Sequence, residues 1–243
     1  MSLLMAALHL KFTIINFNFM KIENIELYYL SMPEILDEAD GSQDALIVKV
    51  EAGGYSGWGE CEASPLTSIA NFICPKSHSA AQPIKDTILG SDLNNINDVK
   101  KIIHNVKQNS LMIAQTPHTF SGIEVAILDL LGKKNQTSIY DLIGYKKSNP
   151  KIAYASVLFG NSPDETLNIA KEMKEKKFRA VKFGWQNFGL NLKNDKDHLI
   201  AAREGLGKDL MFMVDVGAIW GNNIEMALSR SKIFEDANIT WLE

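Results

Sequence analysis

The sequence predicts an α/β fold in which an antiparallel opening part is followed by parallel strands that alternate with helices. Two observations predict it. Runs of β-type residues joined by glycines come early in the chain, before residue 62. After Pro150, apolar runs of strand length alternate with patterns of helix length, and such alternation is typical of a parallel sheet with helices outside it.

The opening part begins with three predicted strands. Residues 21–30 alternate in part between apolar and polar side chains, which predicts a strand. Residues 46–51 and 56–60 are β-type runs on either side of Gly53 and Gly54. Glycines in a short connection between two such runs indicate a hairpin, so we expect a small antiparallel sheet here.

Helices are predicted after this sheet. Apolar residues recur at helical spacing in residues 98–108 and, more strongly, in residues 120–134. Residues 31–45 and 61–80 lack such periodicity, and we expect loops there. The Ser-Asn-Pro sequence at residues 148–150 indicates a domain boundary.

Beyond this boundary the pattern is β-α-β-α-β-α-β. Strands are predicted at residues 151–159, 178–183, 210–215 and 239–243. Helices are predicted from residue 163 and at residues 194–205 and 222–234. The first helix has Ser162 as N-cap, Pro163 at its first position and Glu165 three residues after the cap, which together form a strong start signal.

The chain divides into an N-terminal extension at residues 1–19, an α+β domain at residues 20–149 and a β/α domain at residues 150–243. The extension is apolar, but Lys11 interrupts it, no basic region precedes it, and no small-residue cleavage site follows it. It is also short for a membrane span. We therefore expect a segment upstream of the natural start at Met20.

Composition excludes several classes of function. The 243 residues carry a net charge of −4, which gives no reason to expect nucleic acid or an anionic membrane as partner. A hydrophobic content of 46% is enough for a sizeable core. The two cysteines, Cys61 and Cys74, are too few for a disulfide framework or a cysteine-rich metal site, and they fit a reducing cytoplasm.

Two carboxylates end the last two predicted strands. Asp215 ends the third strand of the β/α domain, and Glu243 ends the fourth. A (β/α) barrel builds sites for hard cations from carboxylates at the C-terminal ends of successive parallel strands, so we expect both residues to be metal ligands. The alternatives are a turn residue for Asp215 and a solvated terminal residue for Glu243.

Six motifs occur in an order that characterises one family. They are residues 57–60 (GWGE), 122–133 (GIEVAILDLLGK), 139–144 (IYDLIG), 179–184 (RAVKFG), 215–220 (DVGAIW) and 241–243 (WLE). With them the chain resembles the enolase superfamily, and within it the mandelate racemase / muconate-lactonizing branch, over roughly residues 21–243. The resemblance implies an α+β capping domain followed by a TIM-type (β/α) barrel, of which about four of the eight strands are present.

The resemblance also implies a chemistry. The family removes the proton next to a carboxylate and stabilises the resulting enediolate with Mg²⁺, which three carboxylates hold. Asp215 and Glu243 match two of these ligands. The third ligand and the usual Asp/His pair are expected beyond residue 243, so the chain is expected to be the first part of an enzyme.

One departure from the family pattern concerns the second barrel strand. This strand usually ends in Lys-x-Lys, with the second lysine as an acid/base, whereas this chain has Lys182, Phe183 and Gly184. Alternation places residues 182 and 184 on the same face of the strand. We therefore expect Lys182 to be a catalytic residue, with a surface lysine as the alternative, and nothing equivalent to the second lysine.

The expected function of the parent protein is a Mg²⁺-dependent dehydratase of acid sugars. A racemase, epimerase or cycloisomerase of the same superfamily is the first alternative, and a catalytically inert fragment is the second. The expected partners are a small carboxylate substrate and further copies of the chain in a homo-oligomer. Neither nucleic acid nor a membrane is expected as partner.

Overall fold

The computed structural model describes residues 19–35, 44–61 and 64–243. These residues form two compact units, one of residues 19–34, 44–61 and 64–147 and the other of residues 35 and 148–243. Residues 1–18 of the predicted extension lie outside the described residues. None of the helices within the described ranges is long and apolar enough to cross a membrane.

The first unit contains the predicted antiparallel sheet. Its strands β1 (Ile22–Leu30), β2 (Ala45–Ala52) and β3 (Tyr55–Cys61) are paired in sequence order. Gly53 and Gly54, with φ of 56° and 79°, make the tight turn between β2 and β3, which confirms the predicted hairpin. One face of β2 is buried in the core through Leu46, Val48, Val50 and Ala52.

The helices of this unit are α1 (Pro65–Ile73), α2 (Ile84–Ile88), α3 (Ile96–Asn109), α4 (Thr116–Asn135) and α5 (Ile139–Leu142). Helix α4 packs against the antiparallel sheet, and the other helices of the unit pack on α4 or on one another. Helix α4 lies so close to β3 that a Cβ on Gly57 would be 1.9 Å from the carbonyl oxygen of Ala126. The expected loop at residues 61–80 is wrong in part, because α1 lies within it. The helix begins with Ser64 and Pro65, the same Ser-Pro start as α6, but Thr67 stands where a capping box has Glu or Gln, so the start signal is weaker.

The second unit is a parallel sheet with helices between its strands. Its strands β4 (Ala155–Leu158), β5 (Ala180–Gly184), β6 (Met211–Asp215) and β7 (Trp241–Leu242) are paired in sequence order. The intervening helices are α6 (Pro163–Glu175), α7 (Leu192–Leu206), α8 (Ile224–Leu228) and α9 (Ser231–Asp236). This arrangement confirms the predicted fold class, since sequential parallel strands joined by helices form part of a (β/α) barrel.

Two element predictions in this unit need correction. The strand predicted at residues 151–159 is limited to β4. The helix predicted at residues 222–234 is divided into α8 and α9, and Arg230 between them is 2% exposed. Arg230 turns inward to pair with Asp195 on α7, which interrupts the helical path. The start of α6 is as predicted, with the backbone N–H of Glu165 donating to Ser162 Oγ at 3.3 Å.

The outer face of the parallel sheet packs beneath the helices through aromatic residues. Phe159, which follows β4, stacks on Phe188 with 4.4 Å between ring centroids and an angle of 6° between the rings. Phe183 on β5 packs against Phe159 and meets Phe212 on β6 edge-on. These contacts fix the segments that follow β4 and β5, which lie at the C-terminal edge of the sheet.

A short chain of buried polar groups crosses the same core. The N–H of Gly160 donates to Thr166 Oγ1 at 2.9 Å, and this oxygen lies 2.8 Å from Nδ1 of His198. The Thr166 hydroxyl and His198 Nδ1 thus share one hydrogen bond inside the core. The imidazole ring is 1% exposed and lies edge-on to Phe159.

Candidate active site

The three predicted site residues lie together at the C-terminal edge of the parallel sheet. Asp215 is the last residue of β6, and Lys182 lies two residues before the end of β5. Glu243 follows β7 and continues its pairing, since its N–H donates to the Val214 carbonyl at 2.8 Å and its carbonyl accepts from Val216 at 3.0 Å. Parallel pairing therefore places the side chains of three neighbouring strands at one site.

The Lys182 ammonium group lies between the two carboxylates. Its Nζ is 2.9 Å from Asp215 Oδ2 and 2.9 Å from Glu243 Oε2. Hydrogen bonds to Glu243 and to Asp215 outweigh the effect of burial and raise the pKa of Lys182 well above its usual range. With both carboxylates beside it, the Lys182 amine is held as an ammonium group.

Asp215 is held as a carboxylate. Burial alone would raise its pKa, but hydrogen bonds from Lys182 and from the N–H of Gly217 outweigh burial, and the pKa lies below its usual value. The bond from Gly217 to Asp215 Oδ1 is 2.8 Å long and fixes the orientation of the carboxylate. Asp215 is thus preorganised, whereas the side chain of Glu243 is 56% exposed.

The donor set fits a hard divalent cation in part. The two carboxylates come from adjacent strands and already share one positive charge, the Lys182 ammonium. Mg²⁺ is commonly bound through one or two carboxylates, with substrate oxygens and water completing its octahedron. Within the described ranges, no group of three or more His, Cys, Asp or Glu side chains is placed to hold a metal. The role of Asp215 and Glu243 as ligands stays a prediction.

Aromatic residues flank the ammonium group. The Tyr154 ring centroid lies 5.9 Å from Lys182 Nζ, within the range of a cation–π contact. Tyr154 in turn meets the ring of Trp241 edge-on at 5.9 Å. Tyr154 was not predicted as a site residue. The one available sequence signal was that it lies two residues before Ser156, which pairs with Lys182 on the neighbouring strand.

The position of the family's second lysine is closed by the backbone of β6. A Cβ on Gly184 would be 2.9 Å from the carbonyl oxygen of Asp215 and 3.0 Å from its Cβ. A larger side chain at residue 184 would therefore require the two strands to move. The next residue, Trp185, donates its N–H to the same carbonyl at 3.2 Å. Trp185 was not predicted as a site residue, because a residue in a loop after a strand carries no periodicity signal.

A buried ion pair anchors the loop at residues 185–191, which connects β5 to α7. Arg230 Nε lies 2.7 Å from Asp195 Oδ2, and their side chains are 3% and 0% exposed. Asp195 also accepts from the N–H of Gly189 at 2.7 Å, while the carbonyl of Gly189 accepts from Arg230 Nη2 and Trp220 Nε1, each at 2.9 Å. The charges are thus paired and saturated with hydrogen bonds, which is the condition for burying them.

Comparison with known proteins identifies the family to which this architecture belongs. Residues 37–144 match the mandelate racemase / muconate lactonizing enzyme N-terminal domain. A solved structure, described as a predicted mandelate racemase from Rhodobacter sphaeroides, is 49% identical and superposes with a TM-score of 0.84, over 92% of this chain and 57% of that one. The chain belongs to the mandelate racemase / muconate-lactonizing branch of the enolase superfamily.

Curated relatives in this branch catalyse different reactions. N-succinyl-L-Arg/Lys racemase of Bacillus cereus is 27% identical over 92% of this chain, and D-galactarolactone cycloisomerase of Agrobacterium fabrum is 26% identical over 82%. L-talarate/galactarate dehydratase of Salmonella typhimurium is 25% identical over 68%. The chain spans 59%, 50% and 41% of these three relatives. The relatives are enzymes, but they do not agree on one reaction.

Proposed function

We propose that the protein carrying this chain is a Mg²⁺-dependent enzyme that removes the proton next to a substrate carboxylate, and that it dehydrates sugar acids. The observation that carries the proposal is the ammonium of Lys182 held between Asp215 and Glu243 at the ends of adjacent strands. The proposed partners are a small acid sugar and further copies of the chain. A homo-oligomer and a cytoplasmic location remain predictions.

Each of the three residues has a distinct proposed role. Asp215 and Glu243 would hold Mg²⁺, which supplies positive charge to the substrate carboxylate and to the enediolate that forms from it. Lys182 would donate a hydrogen bond to the same developing negative charge, because its ammonium lies beside both carboxylates at the ends of the neighbouring strands. The N–H of Gly217 would keep Asp215 aligned throughout.

Gly184 favours dehydration over racemisation. Inversion of a carbon centre by proton removal and return needs an acid/base group on each face of that carbon. Gly184 supplies none from β5, and the approach of Asp215 leaves no room for one. Dehydration needs only one such group, because the base that removes the α proton can return it to the hydroxyl of the neighbouring carbon, which then leaves as water. The relatives include a D-gluconate/D-galactonate dehydratase of Picrophilus torridus, 24% identical over 80% of this chain.

The second candidate is a racemase or epimerase. One relative, of which this chain covers 59%, is the N-succinyl-L-Arg/Lys racemase of Bacillus cereus. A hydrophobic dipeptide epimerase of Enterococcus faecalis is also similar, at 25% identity over 74% of this chain. The two candidates differ in their products, because dehydration of a sugar acid yields a 2-keto acid and racemisation does not.

The test is a product assay on the full-length protein that contains this chain. The substrates are gluconate, galactarate, arabinonate and N-succinyl-L-arginine, with Mg²⁺ or with a chelator. We expect 2-keto acid from a sugar acid, only when Mg²⁺ is present. Exchange of the α proton without keto acid would favour the racemase. No turnover of any acid would overturn the proposed function and favour an inert protein.

The first prediction concerns Asp215. We expect Asp215→Asn to lower kcat/KM by a factor on the order of 1000 or more and to weaken Mg²⁺ binding measured by calorimetry, because the charge that holds the cation is lost. The matched control is Asp209→Asn, an exposed aspartate just before β6. Mg²⁺-dependent turnover that survives Asp215→Asn at the level of the control would remove Asp215 from the site.

A further inference from the structure

We propose that Trp185 determines substrate specificity. Its indole ring forms a fixed wall of the substrate site and limits the size of the group that the reacting carbon carries. This inference rests on the proposed function, because it assumes that the substrate carboxylate binds beside Asp215.

The first argument is the position of Trp185. It follows β5 directly, and its backbone N–H donates to the Asp215 carbonyl at 3.2 Å. The ring packs over Gly217, where an added Cβ would lie 3.2 Å from two of its carbon atoms. The residue is nevertheless 39% exposed. One side of the indole is thus fixed against the segment after β6, and the rest is open beside a proposed metal ligand.

The second argument is the backbone. Trp185 and Gln186 have φ of 62° and 56°, in the left-handed region that non-glycine residues seldom adopt. Two consecutive residues of this kind persist only where the surrounding structure holds them, and such strain is concentrated at functional sites. A glycine at either position would remove the strain. A large aromatic residue at position 185 therefore needs a functional advantage that offsets this backbone strain and that a glycine could not provide.

The third argument is rigidity. Three residues after Trp185, Phe188 is buried in the core and stacked on Phe159. The next residue, Gly189, is held on both its N–H and its carbonyl by Asp195, Arg230 and Trp220. The loop that carries the indole is therefore anchored a few residues away. An anchored wall excludes bulky substrates more effectively than a mobile one, because it does not yield to them.

The chemistry of the wall indicates which substrates it selects. Indole offers a broad apolar surface and no charge. A linear hydroxy acid can lie flat along such a surface, with its hydroxyl groups directed elsewhere. A carbon that bears an N-succinyl group or a second amino-acid residue needs more space. We infer that Trp185 favours linear sugar acids and disfavours N-acylated amino acids and dipeptides.

The experiment compares Trp185→Ala and Trp185→Phe with wild type in the full-length, Mg²⁺-loaded protein. The two substrates are the best sugar acid found above and N-succinyl-L-arginine. We expect Trp185→Ala to lower kcat/KM for the sugar acid by about 10-fold or more, mainly through KM, and to shift the ratio of the two substrates toward the bulkier acid by at least as much. Trp185→Phe should be intermediate.

Two control variants separate the wall from general effects. Trp58→Phe alters a tryptophan of similar exposure, 44%, in the first unit. It should leave kcat/KM unchanged for both substrates. Gln186→Gly relieves backbone strain but keeps the indole ring. It should therefore keep the ratio of kcat/KM for the two substrates. Binding has its own readout, since the sugar acid should change tryptophan emission in the wild type and much less in Trp185→Phe.

The possible failures are distinguishable. A wild type that turns over none of the acids overturns the proposed function, and this inference falls with it. A wild type that dehydrates sugar acids while Trp185→Ala and Trp185→Phe keep its substrate ratio overturns the inference alone. An emission change that Trp185→Phe retains in full, or the absence of any change in the wild type, would also overturn it.

Discussion

At the scale of single residues, Lys182 is both a partner and a competitor at the proposed metal site. Its ammonium group neutralises one of the two negative charges that Asp215 and Glu243 bring together at 2.9 Å from one nitrogen. Two carboxylates without this cation would repel one another and would attract another cation more strongly. Lys182 therefore stabilises the pair of carboxylates but opposes the binding of Mg²⁺ to them.

The second prediction follows from this competition. We expect Lys182→Met to bind Mg²⁺ about 10-fold more tightly, because one ammonium–carboxylate attraction no longer opposes binding. We also expect turnover to fall by about 100-fold or more, because the hydrogen bond to the developing charge is lost. Calorimetry and steady-state kinetics measure the two effects. The exposed Lys208, changed to Met, is the control. Weaker Mg²⁺ binding in Lys182→Met would contradict the competition.

At the scale of elements, the first unit depends on the close approach of α4 to β3. Glycines occur on both elements where they meet: a Cβ on Gly59 would lie 2.1 Å from the carbonyl oxygen of Gly122, and one on Gly122 would lie 2.6 Å from Cys61 Sγ. The obstructing atoms at Gly59 and Gly57 are backbone atoms, which cannot turn aside as a flexible side chain can. The helix would have to move as a whole to make room.

The third prediction tests this packing. We expect Gly57→Ala to lower the free energy of unfolding by about 3 kcal/mol or more, because overpacking here displaces a helix. Gly54→Ala is the matched control, since nothing lies within 4 Å of its added Cβ and only its φ of 79° is unfavourable. We expect the control to cost about 1 kcal/mol. Urea unfolding measures both variants. Equal losses of unfolding free energy in Gly57→Ala and Gly54→Ala would show that α4 moves at little cost.

At the scale of the whole molecule, the sequence predicted the order of strands and the proposed site better than the ends of elements. Alternation along β5 and β6 was enough to place Lys182 and Asp215 on one face, because parallel pairing leaves little freedom of register. The break between α8 and α9 depends on Arg230 reaching Asp195, thirty-five residues away in sequence. No local pattern carries that information. Trp185 was missed for the same reason.

The buried chain from Gly160 through Thr166 to His198 has a consequence for proton uptake. Burial lowers the pKa of His198, although the carboxylates of Asp195 and Asp197 partly oppose this. The unfolded chain, with its histidine near a pKa of about 6.5, then binds a proton more readily than the folded chain. The stabilisation is complete above that pH and is lost as the pH falls through the lower, folded pKa.

The fourth prediction is therefore a difference in acid sensitivity. Between pH 7.5 and pH 5, the free energy of unfolding of the wild type should fall further than that of His198→Asn, which keeps a hydrogen-bond partner for the Thr166 hydroxyl and has no proton to take up. Urea unfolding at the two pH values measures the difference, and parallel losses would exclude His198 as its source. Burial of this one imidazole thus makes the stability of the sheet that carries the proposed active site depend on acid.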